Sequence, residues 1–287
     1  MNKNMIARIS VALVAIPTIL WICYQGGAWL SGMVLLFAVT AYQEFLYAEK
    51  ISPKNFLFWF CSLFFLCFFV MSLTLFEFEL AEIGKNEWVE FIRFFNPIAF
   101  ILLLGVFFSV KKDPADQLFL SYVRLVWGTF YIGYLYPFVI RIGEISFWKP
   151  NGFSGGDLLL FLFAILWVGD SAALFVGKAI GKHKLAPSVS PNKTVEGFIG
   201  GLAGAVVVGV IMYIWKFNII AWYHIMLIAI GCSIFGQLGD LVESMWKRSL
   251  NIKDSSNIIP GHGGILDRFD SLLFAAPFMY IYLLLLY

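Results

Sequence analysis

Residues 197–215 read GFIGGLAGAVVVGVIMYIW, a stretch of 19 residues without a charged side chain. A helix needs about 20 predominantly apolar residues to cross the hydrocarbon core of a bilayer. The whole chain has the same character, because 61% of its 287 residues are hydrophobic and only 13% are charged. Soluble proteins usually contain about 25% charged residues. The sequence therefore predicts an all-α, polytopic membrane protein.

Eight other stretches are similar to this one in apolar character, so the sequence predicts about nine membrane-spanning helices. The predicted spans are residues 6–24, 28–48, 55–76, 96–110, 119–140, 157–177, 197–215, 219–239 and 266–286. No segment between them is long enough for a separate soluble domain. The chain can be divided only by where motifs occur. Residues 1–150 form amino-terminal membrane helices without a recognisable motif, and residues 151–287 form a carboxyl-terminal membrane region that we expect to be catalytic.

Lysine and arginine residues are distributed unevenly between the two sides of these predicted spans. With the amino terminus placed in the cytoplasm, about 14 basic residues fall on the inner side and about five on the outer side, as the positive-inside rule requires. This bias predicts a multi-pass protein of the cell inner (plasma) membrane with a cytoplasmic amino terminus. The polar loops 178–196 and 240–270 then both face the cytoplasm.

The most polar segment of the chain lies between the last two predicted spans. Residues 240–270 read DLVESMWKRSLNIKDSSNIIPGHGGILDRFD. If this segment begins as a helix, Asp240 and Ser244 lie on one face, because residues four apart are neighbours on a helix. Either Lys247 or Arg248 joins them there. Such a face presents a carboxylate, a hydroxyl and a cation together, which favours a metal and phosphate site.

A glycine-rich run, PGHGG at 260–264, follows in the same segment. Its composition does not suit a regular helix or strand, and its glycines let backbone N–H groups approach an anion closely. We expect the last helix to begin near Leu266, with Asp267 and Asp270 on one face of its first turn. His262 can be a base, a ligand or a packing residue. The alternative interpretation of the whole segment is a solvated loop with ordinary salt bridges.

A second polar cluster surrounds the sixth predicted span. Asp170 lies inside that span, where a carboxylate costs about 2.5–3.5 kcal/mol on insertion scales, so we expect it to face a watery cavity, a cation or a partner. The alternative is a protonated structural acid. Downstream, Lys193 and Thr194 follow Ser190, and a cation beside two hydroxyls suits triphosphate oxygens. Glu196 is placed to lock this loop.

These two segments resemble the signature of the CDP-diacylglycerol synthases, also called phosphatidate cytidylyltransferases. The resemblance rests on SMWKR (244–248), KD (253–254), PGHGG (260–264) and DRFD (267–270). The run SPNKTVEG (190–197) is similar to the family's serine-proline-lysine-lysine-threonine-tryptophan-glutamate-glycine loop. This chain departs from the family pattern at three positions, which are Asn192, Val195 and Trp246.

The resemblance implies a nucleotidyl transfer in which a phosphate oxygen of phosphatidic acid attacks the α-phosphorus of CTP and pyrophosphate leaves. The attacking phosphate is already an anion, so no covalent enzyme intermediate is required, and electrostatic stabilisation should dominate. CTP, phosphatidic acid and membrane lipid are the expected partners, and no nucleic acid is expected. The resemblance also implies a homodimer and a monovalent cation, K⁺, near a Mg²⁺ ion.

Site residues are assigned on this basis. The residues expected to be catalytic are Asp240, Lys247, Arg248, Asp267, Arg268 and Asp270. Among them, Asp240, Asp267 and Asp270 are expected to bind Mg²⁺, which prefers carboxylate and phosphate oxygens. The residues expected to bind substrate are Asp170, Ser190, Lys193, Thr194, Glu196, Ser244, His262, Gly263 and Gly264.

Two other functions fit parts of the pattern. A CTP-dependent polyprenol kinase would share the helices and the nucleotide loop but would transfer the γ-phosphate to an alcohol. A cation-coupled membrane transporter would also use an intramembrane acid such as Asp170. Transporters, however, place their polar residues near the midplane of two related halves, whereas here they cluster at the predicted cytoplasmic edge.

Overall fold

The computed structural model describes residues 3–74, 87–111, 113–145, 153–259 and 263–286, and it confirms the all-α prediction. The described residues form ten helices and one two-stranded hairpin. In chain order the elements are α1 (Lys3–Gln25), α2 (Gly27–Ala48), α3 (Phe56–Thr74), α4 (Glu87–Ser109), α5 (Ala115–Leu135), α6 (Pro137–Glu144), α7 (Gly155–Ile180), β1 (Lys184–Ala186), β2 (Ser190–Thr194), α8 (Val195–Trp215), α9 (Trp222–Ser249) and α10 (Leu266–Leu285).

Seven stretches of helix within the described residues are long and apolar enough to cross a membrane. These are α2, α3, the continuous pair α5–α6, α7, α8, α9 and α10. Shorter apolar helical segments, Leu13–Gln25 and Asn96–Ser109, occupy the first and fourth predicted spans. Every predicted span therefore falls on a helix, while the number of nine complete spans stays a prediction.

Helices α7 and α8 pack against each other at close range because glycine and alanine face each other between them. A Cβ atom added to Gly204 would lie 2.8 Å from the Cβ atom of Ala172. Small residues allow such close approach of membrane helices. Close approach increases van der Waals packing, which stabilises helix pairs in lipid, where no hydrophobic effect drives them together. The predicted catalytic region thus has a compact helical pair at its centre.

Aromatic residues of the amino-terminal half form a second packed region between α2, α3 and α5. The rings of Tyr42 and Phe65 are stacked, with centroids 4.3 Å apart. The Tyr42 hydroxyl also lies 2.8 Å from the Thr129 hydroxyl, so this buried polar group is satisfied within the bundle. Buried hydroxyls are costly without such a partner, and the pair therefore fixes α2 against α5.

The polar contacts of the bundle are concentrated at one end. Glu49, directly after α2, forms an ion pair of 2.9 Å with Arg124 of α5 and accepts a hydrogen bond of 3.1 Å from the Trp246 indole of α9. At the other end of the bundle, Lys216 after α8 lies 3.5 Å from Asp157 in the first turn of α7. The carboxyl-terminal ends of α2 and α9 therefore lie on the same side.

Candidate active site

A cavity of about 890 Å³ lies at the polar end of the bundle. Its volume is within the range typical of small-molecule sites. The charged residues that line it are Asp170, Asp240, Lys247, Asp254, Asp267, Arg268 and Asp270. Asp240 thus shares one cavity with Asp267 and Asp270, although the two aspartates of α10 follow the loop that leaves α9.

Most of the remaining wall of this cavity is apolar, with Ser171 and Ser271 as the exceptions. It is formed by α1, α2 and α7 through residues that include Ile16, Ile19, Phe37, Phe163 and Trp167. The amino-terminal half of the chain, which has no recognisable motif, therefore contributes directly to the cavity. A cavity with charges on one side and hydrocarbon on the other suits a ligand that is itself amphipathic.

Asp240 joins the two polar segments that the sequence singled out. Its Oδ2 atom lies 2.6 Å from Nζ of Lys193 in β2. Its Oδ1 atom accepts a hydrogen bond of 3.2 Å from the hydroxyl of Ser244, one turn further along α9. The predicted helical face of Asp240 and Ser244 therefore exists. Lys247, not Arg248, completes the face towards the cavity.

Asp267 is held by an extensive set of donors at the start of α10. Its Oδ1 atom accepts a hydrogen bond of 2.7 Å from the ammonium group of Lys247. Its Oδ2 atom accepts hydrogen bonds from the backbone N–H groups of Ser255, at 2.9 Å, and Gly264, at 2.8 Å, and lies 3.0 Å from the Ser255 hydroxyl. Because a carboxylate offers about four lone-pair positions, Asp267 is rigidly oriented.

Gly263 and Gly264 make this arrangement sterically possible. Gly263 has a φ angle of +84°, and a Cβ atom added there would lie 2.8 Å from Oδ2 of Asp267. Gly264 donates its N–H group to the same carboxylate oxygen. The sequence predicted that these glycines bring backbone N–H groups to a bound anion. In the structure, the N–H group of Gly264 instead reaches a carboxylate of the chain itself, that of Asp267.

Glu243 forms a buried ion pair beside these residues. Its carboxylate is fully buried and lies 3.3 Å from Nζ of Lys247. Among the described residues, neither of its oxygens accepts a hydrogen bond. Lys247 therefore lies between two carboxylates, those of Glu243 and Asp267. Glu243 was not among the predicted site residues, because the span was predicted to end at residue 239, whereas the helix continues to Ser249 and buries Glu243.

The 178–196 loop contains the short antiparallel hairpin of β1 and β2, which the sequence analysis did not predict. Thr194 ends β2 and caps α8, accepting a hydrogen bond of 3.1 Å from the N–H group of Gly197. Glu196 accepts hydrogen bonds from the backbone N–H groups of Lys182, at 3.0 Å, and His183, at 3.2 Å. Glu196 therefore closes the base of the hairpin, and the hairpin presents Lys193 to Asp240.

Several of the predicted site residues lie outside the cavity wall. Arg248 donates hydrogen bonds to the backbone carbonyl groups of Val189, at 3.3 Å, and Ile252, at 2.7 Å. Ser190, Thr194, Glu196, Ser244, Gly263 and Gly264 also do not line the cavity but hold residues or segments that border it. Lys193 does not line it either, and reaches its edge through the ion pair with Asp240. His262 lies outside the described residues.

Glu44 is a second acidic residue of this region that was not predicted from the sequence. It lies near the end of α2, is 1% exposed, and binds the segments on either side of the glycine-rich run. An acidic residue inside a predicted span is the same signal that pointed to Asp170. Its partners, however, are more than 200 positions away in the sequence, and no local pattern identifies them.

The carboxylates around the cavity have the chemistry that a hard divalent cation needs. Among the described residues, no group of three or more histidine, cysteine, aspartate or glutamate side chains is arranged as a complete metal site. Mg²⁺ usually binds through one or two carboxylates together with water and substrate phosphates. The oxygen donors of Asp240 and Asp270 at the cavity wall therefore fit Mg²⁺.

Comparison with known proteins agrees with the geometry. Residues 6–286 match the sequence model of the cytidylyltransferase family. The chain is 44% identical over 184 residues to the phosphatidate cytidylyltransferase of Bacillus subtilis (strain 168), an alignment that covers 60% of this chain and 66% of the relative. It is 33% identical over 277 residues to the phosphatidate cytidylyltransferase of Staphylococcus epidermidis (strain ATCC 12228 / FDA PCI 1200), covering 96% and 98% of the two chains. This chain belongs to the cytidylyltransferase family.

Proposed function

We propose that this membrane enzyme is a phosphatidate cytidylyltransferase, which makes CDP-diacylglycerol and pyrophosphate from CTP and phosphatidic acid. The observation that carries the proposal is the amphipathic cavity, whose charged residues are Asp170 of α7 and six residues of the 240–270 segment, which contains most of the family signature. The apolar wall of α1, α2 and α7 suits acyl chains, and the charged side suits two phosphate-bearing reactants. The names of the full-length relatives favour this function over a polyprenol kinase or a transporter.

The cationic residues in and beside the cavity are suited to phosphate groups in different ways. Arg268 is exposed to the cavity, and within the described parts of the chain its side chain forms no ion pair or hydrogen bond. Its guanidinium group is therefore available to bind phosphate oxygens, for which its planar donors are well suited. Lys193 lies beside the cavity, is partly exposed and forms an ion pair with Asp240. Lys247 is already paired with two carboxylates.

The transfer itself forms a bond between a phosphate oxygen of the lipid and the α-phosphorus of CTP, and it breaks the bond to the pyrophosphate leaving group. Charge accumulates around the phosphorus during this step, so fixed cations and donors contribute most of the stabilisation. In our proposal Arg268 and Lys193 bind the phosphates, Lys247 orients the aspartates, and the apolar wall keeps the lipid phosphate at the cavity.

Magnesium is part of this proposal. Asp240, Asp267 and Asp270 are the residues proposed to hold it, and when bound it would neutralise charge on the phosphates. Asp267 is already bound by Lys247 and by backbone donors, so Asp240 and Asp270 have the more available oxygens. A nearby K⁺ ion and assembly into a homodimer are proposed from the family resemblance.

We place the cavity on the cytoplasmic side of the inner membrane. This location is supported by the excess of lysine and arginine at the corresponding segments. It can be tested with a Lys184→Cys variant in a background without the four native cysteines. A membrane-impermeant maleimide should label this residue in inverted vesicles but not in intact cells, and the reverse result would refute the orientation.

Product analysis tests the activity directly. Purified protein in detergent or liposomes should convert radiolabelled CTP and phosphatidic acid, in the presence of Mg²⁺, to CDP-diacylglycerol with release of pyrophosphate. A polyprenol kinase would instead release CDP when supplied with polyprenol. Absence of both products from folded protein would contradict the proposed function.

A further inference from the structure

Glu44 provides a carboxylate from the amino-terminal half to the loop before α10 and to the start of α10, where Asp267 lies. Four donors approach its two oxygens. The hydroxyl of Ser256 lies 2.7 Å from Oε1, and the hydroxyl of Ser255 lies 3.1 Å from Oε2. The backbone N–H groups of Ile265 and Leu266 donate hydrogen bonds of 2.9 Å and 3.0 Å. This set explains how a carboxylate that is 1% exposed is tolerated inside the bundle.

The two backbone donors belong to the beginning of α10. Ile265 precedes the first residue of this helix, and its side chain has no oxygen with which to cap the exposed N–H groups. The first N–H groups of a helix have no partner within the helix, and negative charge is favourable there. Glu44 therefore caps α10 from α2, a different helix in a distant part of the sequence.

Ser255 connects this cap to the candidate catalytic residues. Its hydroxyl lies 3.1 Å from Oε2 of Glu44 and 3.0 Å from Oδ2 of Asp267, and it has one proton to donate. The N–H group of Ser255 donates separately to Asp267. Any movement of Glu44 therefore displaces the residue whose N–H and hydroxyl groups hold the Asp267 carboxylate.

Gly264 shows that the contact with Glu44 is tightly fitted. A Cβ atom added to Gly264 would collide with Oγ of Ser255 and Oε2 of Glu44. The same glycine donates its N–H group to Asp267 at 2.8 Å. The turn that follows the glycine-rich run thus has Glu44 on one side and Asp267 on the other, with no room for a side chain between them.

We propose that Glu44 is a positioning residue for the transfer, one that fixes segments 255–256 and 264–266 so that Asp267 meets Lys247 at the cavity wall. This inference rests on the proposed function. Glu44 does not line the cavity and does not touch substrate in this proposal. It acts through Ser255 and the first turn of α10.

The test is a Glu44→Gln variant, which keeps the size of the side chain but replaces one acceptor oxygen by a donor. The buried donors around it then face an NH₂ group, and the loop shifts. We expect kcat to fall about 10- to 100-fold, because misplacement by about 1 Å can have this effect. The KM for CTP should change little, since Glu44 contacts neither Lys193 nor Arg268. Kcat should be expressed per folded molecule, from size-exclusion and thermal-unfolding measurements.

Glu49→Gln is the matched control. Glu49 directly follows α2, close in sequence to Glu44, has a side chain that is 3% exposed, and is bound by Arg124 and Trp246. A purely structural role for buried acids at this end of α2 predicts equal effects of the two variants on stability and on kcat. The positioning role predicts that kcat falls in Glu44→Gln but not in Glu49→Gln.

A double-mutant cycle supplies a second measurement. The effects of Glu44→Gln and Ser255→Ala on kcat should be smaller together than the sum of their separate effects, because they disrupt one connection. If Glu44→Gln does not fold, Ser256→Ala is the alternative variant, because it removes only one hydroxyl donor to Glu44, at the edge of the network. It should lower kcat moderately without altering the KM for CTP.

Folded Glu44→Gln protein with wild-type kcat would overturn the positioning role while the function of the wild-type enzyme stands. Wild-type kcat in folded Ser256→Ala protein would likewise count against it. If wild-type protein makes no CDP-diacylglycerol, the proposed function fails, and this inference fails with it.

Discussion

The ammonium group of Lys193 lies 2.6 Å from the carboxylate of Asp240, and this ion pair joins the hairpin to α9. The two side chains are 27% and 34% exposed. An ion pair of this exposure contributes only about 0–1 kcal/mol, so it can open at little cost when a ligand arrives. The Lys193 ammonium group is therefore held at the hairpin only weakly and can turn to a bound phosphate.

Lys193→Gln should raise the KM for CTP about tenfold and leave the unfolding temperature nearly unchanged, because a charge-assisted contact with phosphate is lost while the ion pair contributes little stability. Steady-state kinetics with varied CTP measure the effect. Lys184→Gln, at the exposed start of the same hairpin, is the control. An unchanged KM for CTP in Lys193→Gln would exclude Lys193 from nucleotide binding.

Asp267→Asn should reduce turnover by at least about 100-fold, as expected when an oriented charged group is lost from a phosphoryl-transfer site. Its amide can present a donor to Lys247 or Gly264, both of which are donors themselves. Pyrophosphate release measures the loss, and detergent extraction followed by size-exclusion chromatography checks insertion and folding. The control is Asp157→Asn at the opposite end of the bundle. Normal turnover by Asp267→Asn would refute the assignment of this residue.

Arg268 and Arg248 should respond differently to the same substitution. Arg268→Gln should lower kcat/KM about tenfold or more, because this guanidinium faces the cavity and is free to bind phosphate. Arg248→Gln should mainly lower stability, since Arg248 binds the carbonyl groups of Val189 and Ile252. Kinetics and thermal unfolding of the two variants test the contrast. Equal losses of kcat/KM would show that Arg248 also acts on the substrates.

Removal of divalent cations with EDTA should abolish the transfer and leave the helical circular dichroism spectrum unchanged. The reason is that the proposed Mg²⁺ ligands lie at the cavity wall, where the ion neutralises substrate phosphates and does not hold helices together. Activity should return on addition of excess Mg²⁺. Full activity in EDTA would remove magnesium from the proposal.

The sequence predicted the helices well because long apolar stretches can satisfy their backbone in a bilayer only as helices or closed barrels. It also singled out Asp240, Asp267 and Asp270, which line one cavity in the structure, while their role as Mg²⁺ ligands stays a prediction. The start of α10 at Leu266 agrees with the prediction, since the glycine-rich run cannot continue a helix.

The hairpin and the Glu44 contacts were not predictable in the same way. The polar residues Ser190–Thr194 have no strand-forming pattern, and their strand depends on pairing with Lys184–Ala186 and on closure by Glu196. Lys247 and Arg248 are adjacent in the sequence, and only the rotation of α9 decides which one faces the cavity. Glu44 caps α10 through packing of distant helices, which no local periodicity encodes.

The apolar wall of the cavity determines how the enzyme meets its lipid. Ile16 and Trp167 line the cavity and are 39% and 36% exposed, so we expect the hydrocarbon side of the cavity to open towards the surrounding acyl phase. The lipid reactant arrives by two-dimensional diffusion and its product departs the same way, without passing through water. Turnover in vesicles should then depend on the mole fraction of phosphatidic acid in the bilayer, and diluting the whole suspension at constant membrane composition should have little effect.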